Sequence, residues 1–134
     1  MSISYTVDDV RRCLRAVTVA PHGRAEIVAH MEEQAAAGLW AYGVLDDVRA
    51  LQNEWLPTTS DVRVIIHSLA NLTRAHGPRG KVAFLVRSDQ AAIFGVLRMY
   101  ASLAEVSGVG MFGVFHDEGR AIAWLSEPSN TEPS

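Results

Sequence analysis

Hydrophobic and polar positions change their period several times along this chain, and each change marks an element. Ile3, Tyr5 and Val7 alternate with Ser4, Thr6 and Asp8, the two-residue period of a strand with one buried face. From Arg11 to Ala20 the alternation resumes, placing Leu14, Ala16 and Thr18 on one face and Cys13, Arg15, Val17 and Val19 on the other. With Asp8-Asp9 as the turn, these two segments predict an N-terminal antiparallel hairpin. Pro21-His22-Gly23 interrupts it. Ile27, Val28, Met31, Ala35 and Leu39 then recur at helical spacing, with Glu26, His30 and Glu33 directed away and Gly38 near the helix end.

Ala41 to Leu45 reads as a second buried strand that runs into paired acids, Asp46-Asp47. A connector from Val48 to Thr59 follows, long for its position and containing Trp55-Leu56-Pro57. Thr58-Thr59-Ser60-Asp61 supplies caps for a helix whose inward stripe is Val62, Ile65, Ile66, Leu69 and Leu72; His76-Gly77-Pro78 ends it. Val82 to Val86 is an unbroken apolar run between Lys81 and Arg87, the mark of a strand covered on both faces. Ser88 offers a hydroxyl cap and Asp89 a first-turn acid for a long helix that Gly108 closes. Its inward stripe is Ile93, Val96, Leu97, Tyr100, Leu103 and Ala104. Met111 to Phe115 predicts a last strand. Asp117 caps a last helix with Ala121, Ile122 and Leu125 inward. The order β-β-α-β-α-β-α-β-α predicts an α/β fold: a mixed sheet with an N-terminal hairpin followed by successive βα units. One domain is expected over residues 1–126, with a polar, proline-bearing tail over residues 127–134.

Composition narrows the function classes. A chain of 134 residues with 49% hydrophobic content suits one domain with a real core. The single cysteine, Cys13, excludes an internal disulfide and fits a reducing, cytoplasmic setting. MSISYTVDD lacks the pattern of a signal peptide, and no apolar run approaches the roughly 20 residues that span a bilayer. A formal charge of −3 and a pI near 5.9 give no general attraction to nucleic acid or acidic membranes. Arg11, Arg12 and Arg15 are expected to keep an edge strand soluble, or else to form a patch for an acidic partner.

Candidate chemistry is sparse. Gly108-Val109-Gly110-Met111-Phe112-Gly113 matches a dinucleotide fingerprint in letters, but it follows a helix and enters a strand, the reverse of the required polarity. His22, His30, His67, His76 and His116 show no metal-ligand spacing, so neither metal nor cofactor is expected. Asp46-Asp47, Ser88-Asp89 and His116-Asp117 fall just past predicted strand ends, along the edge where open α/β sheets hold ligands. The same residue types are ordinary helix caps, and no nucleophile motif joins them, so catalysis is not expected. Phe94 and Met99 add apolar surface to the long helix beyond its inward stripe and are candidates for self-association, as a homodimer.

Four strings, Ala41–Asp47, His76–Val86, Leu97–Glu105 and Gly113–Leu125, together with this element order, resemble the STAS-like or SpoIIAA-like proteins. These are small bacterial modules related to anti-sigma-factor antagonists. The resemblance spans roughly residues 3 to 126 and implies a non-enzymatic regulatory or protein-interaction module in a partner-switching system. It implies a docking or phosphoacceptor region at Trp55, Thr58, Thr59 and Ser60, although the family's Asp-Ser-(Ser/Thr)-Gly string is absent there. The alternative expectation is a small-ligand binder, for an apolar or nucleotide-like molecule, with its pocket at the carboxyl edge of the strands.

Overall fold

The computed structural model describes residues 3–19, 23–51 and 57–127. Nine elements follow in the expected order: β1 (Ile3–Asp8), β2 (Cys13–Thr18), α1 (Arg24–Ala36), β3 (Gly43–Asp47), α2 (Thr59–His76), β4 (Val82–Leu85), α3 (Ala91–Val106), β5 (Phe112–Phe115) and α4 (Glu118–Ser126). They build one five-stranded sheet in the spatial order β1-β2-β3-β4-β5. The hairpin pair is antiparallel, with Tyr5 opposite Ala16, and every later pair is parallel.

The two faces of the sheet are covered unequally. Leu14, Ala16, Val44, Val82, Phe84 and Phe112 pack under α1, α2 and α3 in the larger core. On the other face, Leu45, Ala83 and Leu85 meet Ala121 of α4 alone. All four residues of β4 are buried, as expected of an apolar run with a helix layer on each side. The alternation predicted for β2 is present, with Leu14, Ala16 and Thr18 buried and Cys13, Arg15 and Val17 half-buried. β1 is less protected than its alternation suggests. It lies at the sheet edge, and Val7 stands exposed.

Local chemistry sets the element ends. Thr58 and Asp61 form a reciprocal capping box, each side chain accepting from the other's backbone N–H at 3.0 Å. Asp117 caps α4 by accepting from the Arg120 N–H at 3.2 Å. Gly38, Gly77 and Gly108 end their helices with positive φ. The cap of α3 differs from the expectation. Ser88 and Asp89 are exposed and precede the helix, Asp89 pairs with Arg87, and Gln90 is the N-cap residue. Gln90 is wholly buried because its amide fastens three chain segments. Its Nε2 donates to the carbonyls of Val48 and Leu51 at 3.1 and 2.7 Å, and its Oε1 accepts from the Arg87 N–H at 2.7 Å. A primary amide, unlike a serine hydroxyl, reaches all of these groups at once.

Two close approaches shape the turn that feeds β4. Gly80 lies against the Ala41–Tyr42 backbone, where a β-carbon would collide with the Tyr42 carbonyl. Its N–H donates to the Trp40 carbonyl at 3.1 Å. The preceding residue, Arg79, is thereby aimed into the protein.

Candidate functional site

The β3 strand ends in two aspartates, and the two-residue period of a strand sends them to opposite faces. Asp46 follows Val44 toward the α1–α3 layer, while Asp47 follows Leu45 toward α4. Both lie inside the strand rather than beyond it, as the sequence suggested. Their surroundings differ sharply.

Asp47 sits in an ion-pair network. Arg49 Nη2 donates to its Oδ2 at 2.8 Å, Arg49 Nε to its Oδ1 at 3.0 Å, and Arg15 Nη2 approaches Oδ2 at 3.4 Å. Glu118, in the first turn of α4, completes the set by accepting from Arg15 at 3.1 and 3.2 Å and from Arg49 at 3.3 Å. Burial pushes the Asp47 carboxyl up, but the Arg49 hydrogen bonds and the two guanidinium charges outweigh it and hold it below the usual range. Glu118 is lowered as well, chiefly by its hydrogen bonds from Arg15. Arg15 therefore fastens β2 to α4 rather than serving to solubilise an edge strand.

Asp46 has no such company. Its Oδ1 is shut off from solvent without a hydrogen-bond partner, and no cation lies within 4.0 Å among the described residues. Thr18, itself 2% exposed, hydrogen-bonds the carboxyl from the neighbouring strand. Burial raises this group to about 7, against the pull of the Arg79 charge and the Thr18 hydrogen bond and with a push from Asp47.

Arg79 faces the same interior. Its Nη2 donates to Gln34 Oε1 at 2.9 Å, its Nη1 lies 3.8 Å from Met31 Sδ, and its guanidinium sits 4.7 Å from the Trp40 ring centre. Its Nε is buried with no partner. Tyr100, from the inward stripe of α3, is the third polar group. Burial pushes its phenol above the ordinary range, so it stays an O–H donor.

Asp46, Arg79, Tyr100 and Thr18 all line one cavity of about 100 Å³ between the sheet and the helix layer. That is ample for several waters. Apart from His30, its remaining walls are apolar, supplied by Ile27 and Met31 of α1, Val62 and Ile65 of α2, Ile93, Val96 and Leu97 of α3, and Val44, Val82, Phe84 and Phe112 of the sheet. Val48, Leu51 and Pro57, from the segment after β3, also line it. His30, expected to point outward, also lines it and meets the Tyr5 ring edge-on at 5.4 Å between centres.

The predicted strand-end residues are not gathered into this chamber. Of Asp46, Asp47, Ser88, Asp89, His116 and Asp117, only Asp46 lines it. His116 instead stacks on Phe94 at 4.9 Å, its Nδ1 3.3 Å from the Val86 carbonyl oxygen. No hydrogen bond joins it to Asp46 or Asp47 among the described residues. Phe94 is thus faced by His116 and by the Arg98 guanidinium, 5.7 Å from its centre, while Met99 packs partly buried against the main core. Thr58 is engaged in its capping box, Thr59 and Ser60 are exposed, and Trp55 lies outside the described residues. The described residues contain no group of His, Cys, Asp and Glu able to hold a metal, and none of their helices is long and apolar enough to cross a membrane. The glycines of Gly108–Gly113 end α3 and enter β5, so they do not lie between a strand and the helix that follows it.

Sequence reasoning missed Arg79, Tyr100 and Gln34. One signal was available for Arg79: a cation between Pro78 and Gly80, a short way ahead of an interior strand. Asp46 carried another, since it shares the inward register of Val44.

No family model and no curated protein sequence matches the chain. Among solved structures, it is similar to an uncharacterised protein of the DUF3478 family, with a SpoIIAA-like fold, from Shewanella loihica PV-4. The TM-score is 0.56 at 18% identity, over 92% of this chain and 94% of that one. The antiparallel hairpin, the parallel strands that extend it and the order of the helices agree with that likeness: the fold of this chain is SpoIIAA-like.

Proposed function

We propose that this protein is a non-enzymatic binder of a small, mostly apolar molecule held in the chamber between the sheet and α1–α3. The observation that carries this reading is an apolar cavity with unpartnered buried polar atoms, Asp46 Oδ1 and Arg79 Nε, among its lining residues. Buried polar atoms left without partners raise the free energy of the empty protein, and an occupant that supplies partners recovers it.

Native mass spectrometry of protein purified from its own host tests the proposal. A reproducible added mass is expected, and it should disappear in Val96→Trp, which fills the chamber. Protein without a retained mass, and without response to any apolar probe in a thermal-shift screen, would overturn it.

A second reading, a regulatory module that docks a protein partner, draws on the fold and on Thr59 and Ser60, exposed in the first turn of α2. A phosphate on either would be favoured by the helix dipole there. Stoichiometric co-purification of a protein partner, with the chamber empty, would place this reading first.

A further inference from the structure

Building on the chamber as a ligand site, we infer that its occupant is an apolar monocarboxylic acid whose head group lies between Asp46 and Arg79 and shares one proton with Asp46. The argument starts from Arg79. Its guanidinium is turned into the protein, yet its partners are neutral: an amide oxygen, a thioether and an aromatic face. No carboxylate stands within ion-pairing distance of it among the described residues. A buried guanidinium with only neutral acceptors and an unused N–H is a receptor for an anion.

Asp46 decides which anion. An acid that placed its carboxylate beside an ionised Asp46 would meet like-charge repulsion in a poorly solvated space. Two carboxyl groups that share one proton avoid it, and the remaining single negative charge is matched by Arg79. Burial already raises Asp46 to about 7, so the proton is available near neutrality. The proton comes from solvent, and no bond other than hydrogen bonds forms or breaks. Tyr100 can donate a further hydrogen bond, because its phenol stays protonated.

Groups around Asp46 are few. Thr18 faces it from β2, Tyr100 from α3 and Arg79 from the turn before β4, while Asp47 acts from the far side of its own strand. α1 brings His30 to the wall, and the chamber residues of α2 and β5 are apolar. Apart from His30 these walls are apolar and suit a short alkyl body, and Arg79 is the one guanidinium among the described lining residues, which favours a monoacid. An alcohol or amide of equal length would fill the same apolar volume but leave the guanidinium charge unmatched.

A matched set separates the head group from the body: hexanoate, hexanamide, 1-hexanol and hexylamine, titrated into the full chain and followed by protein NMR. At pH 6, hexanoate should bind at least tenfold more tightly than the amide or the alcohol, and the amine most weakly. Above pH 7 hexanoate affinity should fall about tenfold per pH unit, since binding takes up one proton. The amide and alcohol should show no such slope. Asp46→Asn, which replaces the carboxyl O–H donor with an amide N–H and has no proton to gain, should bind hexanoate with a flat pH profile. Equal or tighter binding of the amide or alcohol by the wild-type chain at pH 6 would overturn the head-group assignment while leaving the chamber a ligand site. Failure of all four probes to bind would overturn the ligand site itself. The wild-type comparison decides the matter even if the variant folds poorly.

Discussion

Asp46 and Asp47 are neighbours in sequence and identical in chemistry, yet they have opposite fates. On the α4 face, Asp47 is surrounded by Arg15, Arg49 and Glu118, and every charge has a partner. On the α1–α3 face, Asp46 shares a cavity with a cation that it does not touch. One carboxyl is held below its ordinary range and the other is raised to about 7. The difference shows that burial alone does not decide what a carboxylate contributes. A matched network fastens an element, whereas an unmatched pair beside a cavity leaves binding potential unspent.

Removing the cation from the unmatched side should have the largest effect. Arg79→Ala takes away the Gln34 hydrogen bond and the stacking on Trp40, and it leaves Asp46 with no compensating charge. A loss on the order of 3 kcal/mol is expected in urea unfolding at pH 7.5. A loss below about 0.5 kcal/mol would mean that this pair is solvated like a surface pair.

Asp46→Asn should move stability the other way. The folded carboxyl titrates near 7 and the unfolded one near 3.8, so between those values the folded state holds a proton that the unfolded chain has released. The wild type therefore loses stability as pH rises through that window and loses no more above it. The variant escapes this loss. It should be more stable by on the order of 2 kcal/mol at pH 8, with little difference near pH 4. A uniform effect across pH would show that Asp46 does not titrate in the folded state.

Asp47→Asn tests the matched side and carries the reverse sign. Its folded carboxyl is lowered, so its contribution is present above the unfolded value and disappears as pH falls through the folded one. The variant should lose on the order of 1 kcal/mol at pH 7, and the loss should shrink as pH falls through the folded value. Glu118→Gln should have the smallest effect, below about 1 kcal/mol, because its side chain is 38% exposed and solvent screens it. That loss should shrink further in 1 M salt. A loss insensitive to salt would point to α4 packing instead of charge.

The element order, the strand covered on both faces and most helix stripes were legible in the sequence because each follows from local period and local caps. Val82–Val86 shows this plainly: an apolar run that short has few ways to be satisfied, and interior placement in a sheet is the simplest. The cap of α3 was not legible. Ser88 has the right chemistry at nearly the right place, but Gln90 reaches carbonyls some forty residues away in the chain. Of the residues expected to cluster along the strand ends, only Asp46 lines the chamber, for a similar reason. Ser88, Asp89, His116 and Asp117 share an edge in topology, while their side chains are used in exposed loops, a ring stack and a cap.

What the sequence by itself determined is the scaffold, since period, glycine placement and capping residues act over a few neighbours and leave a readable trace. Only the tertiary structure decided the site. Asp46, Arg79 and Tyr100 come from a strand end, a turn and a helix stripe, and each looks ordinary where it stands in the chain. Their chemistry arises from shared exclusion of water, which depends on three-dimensional packing and has no period to read.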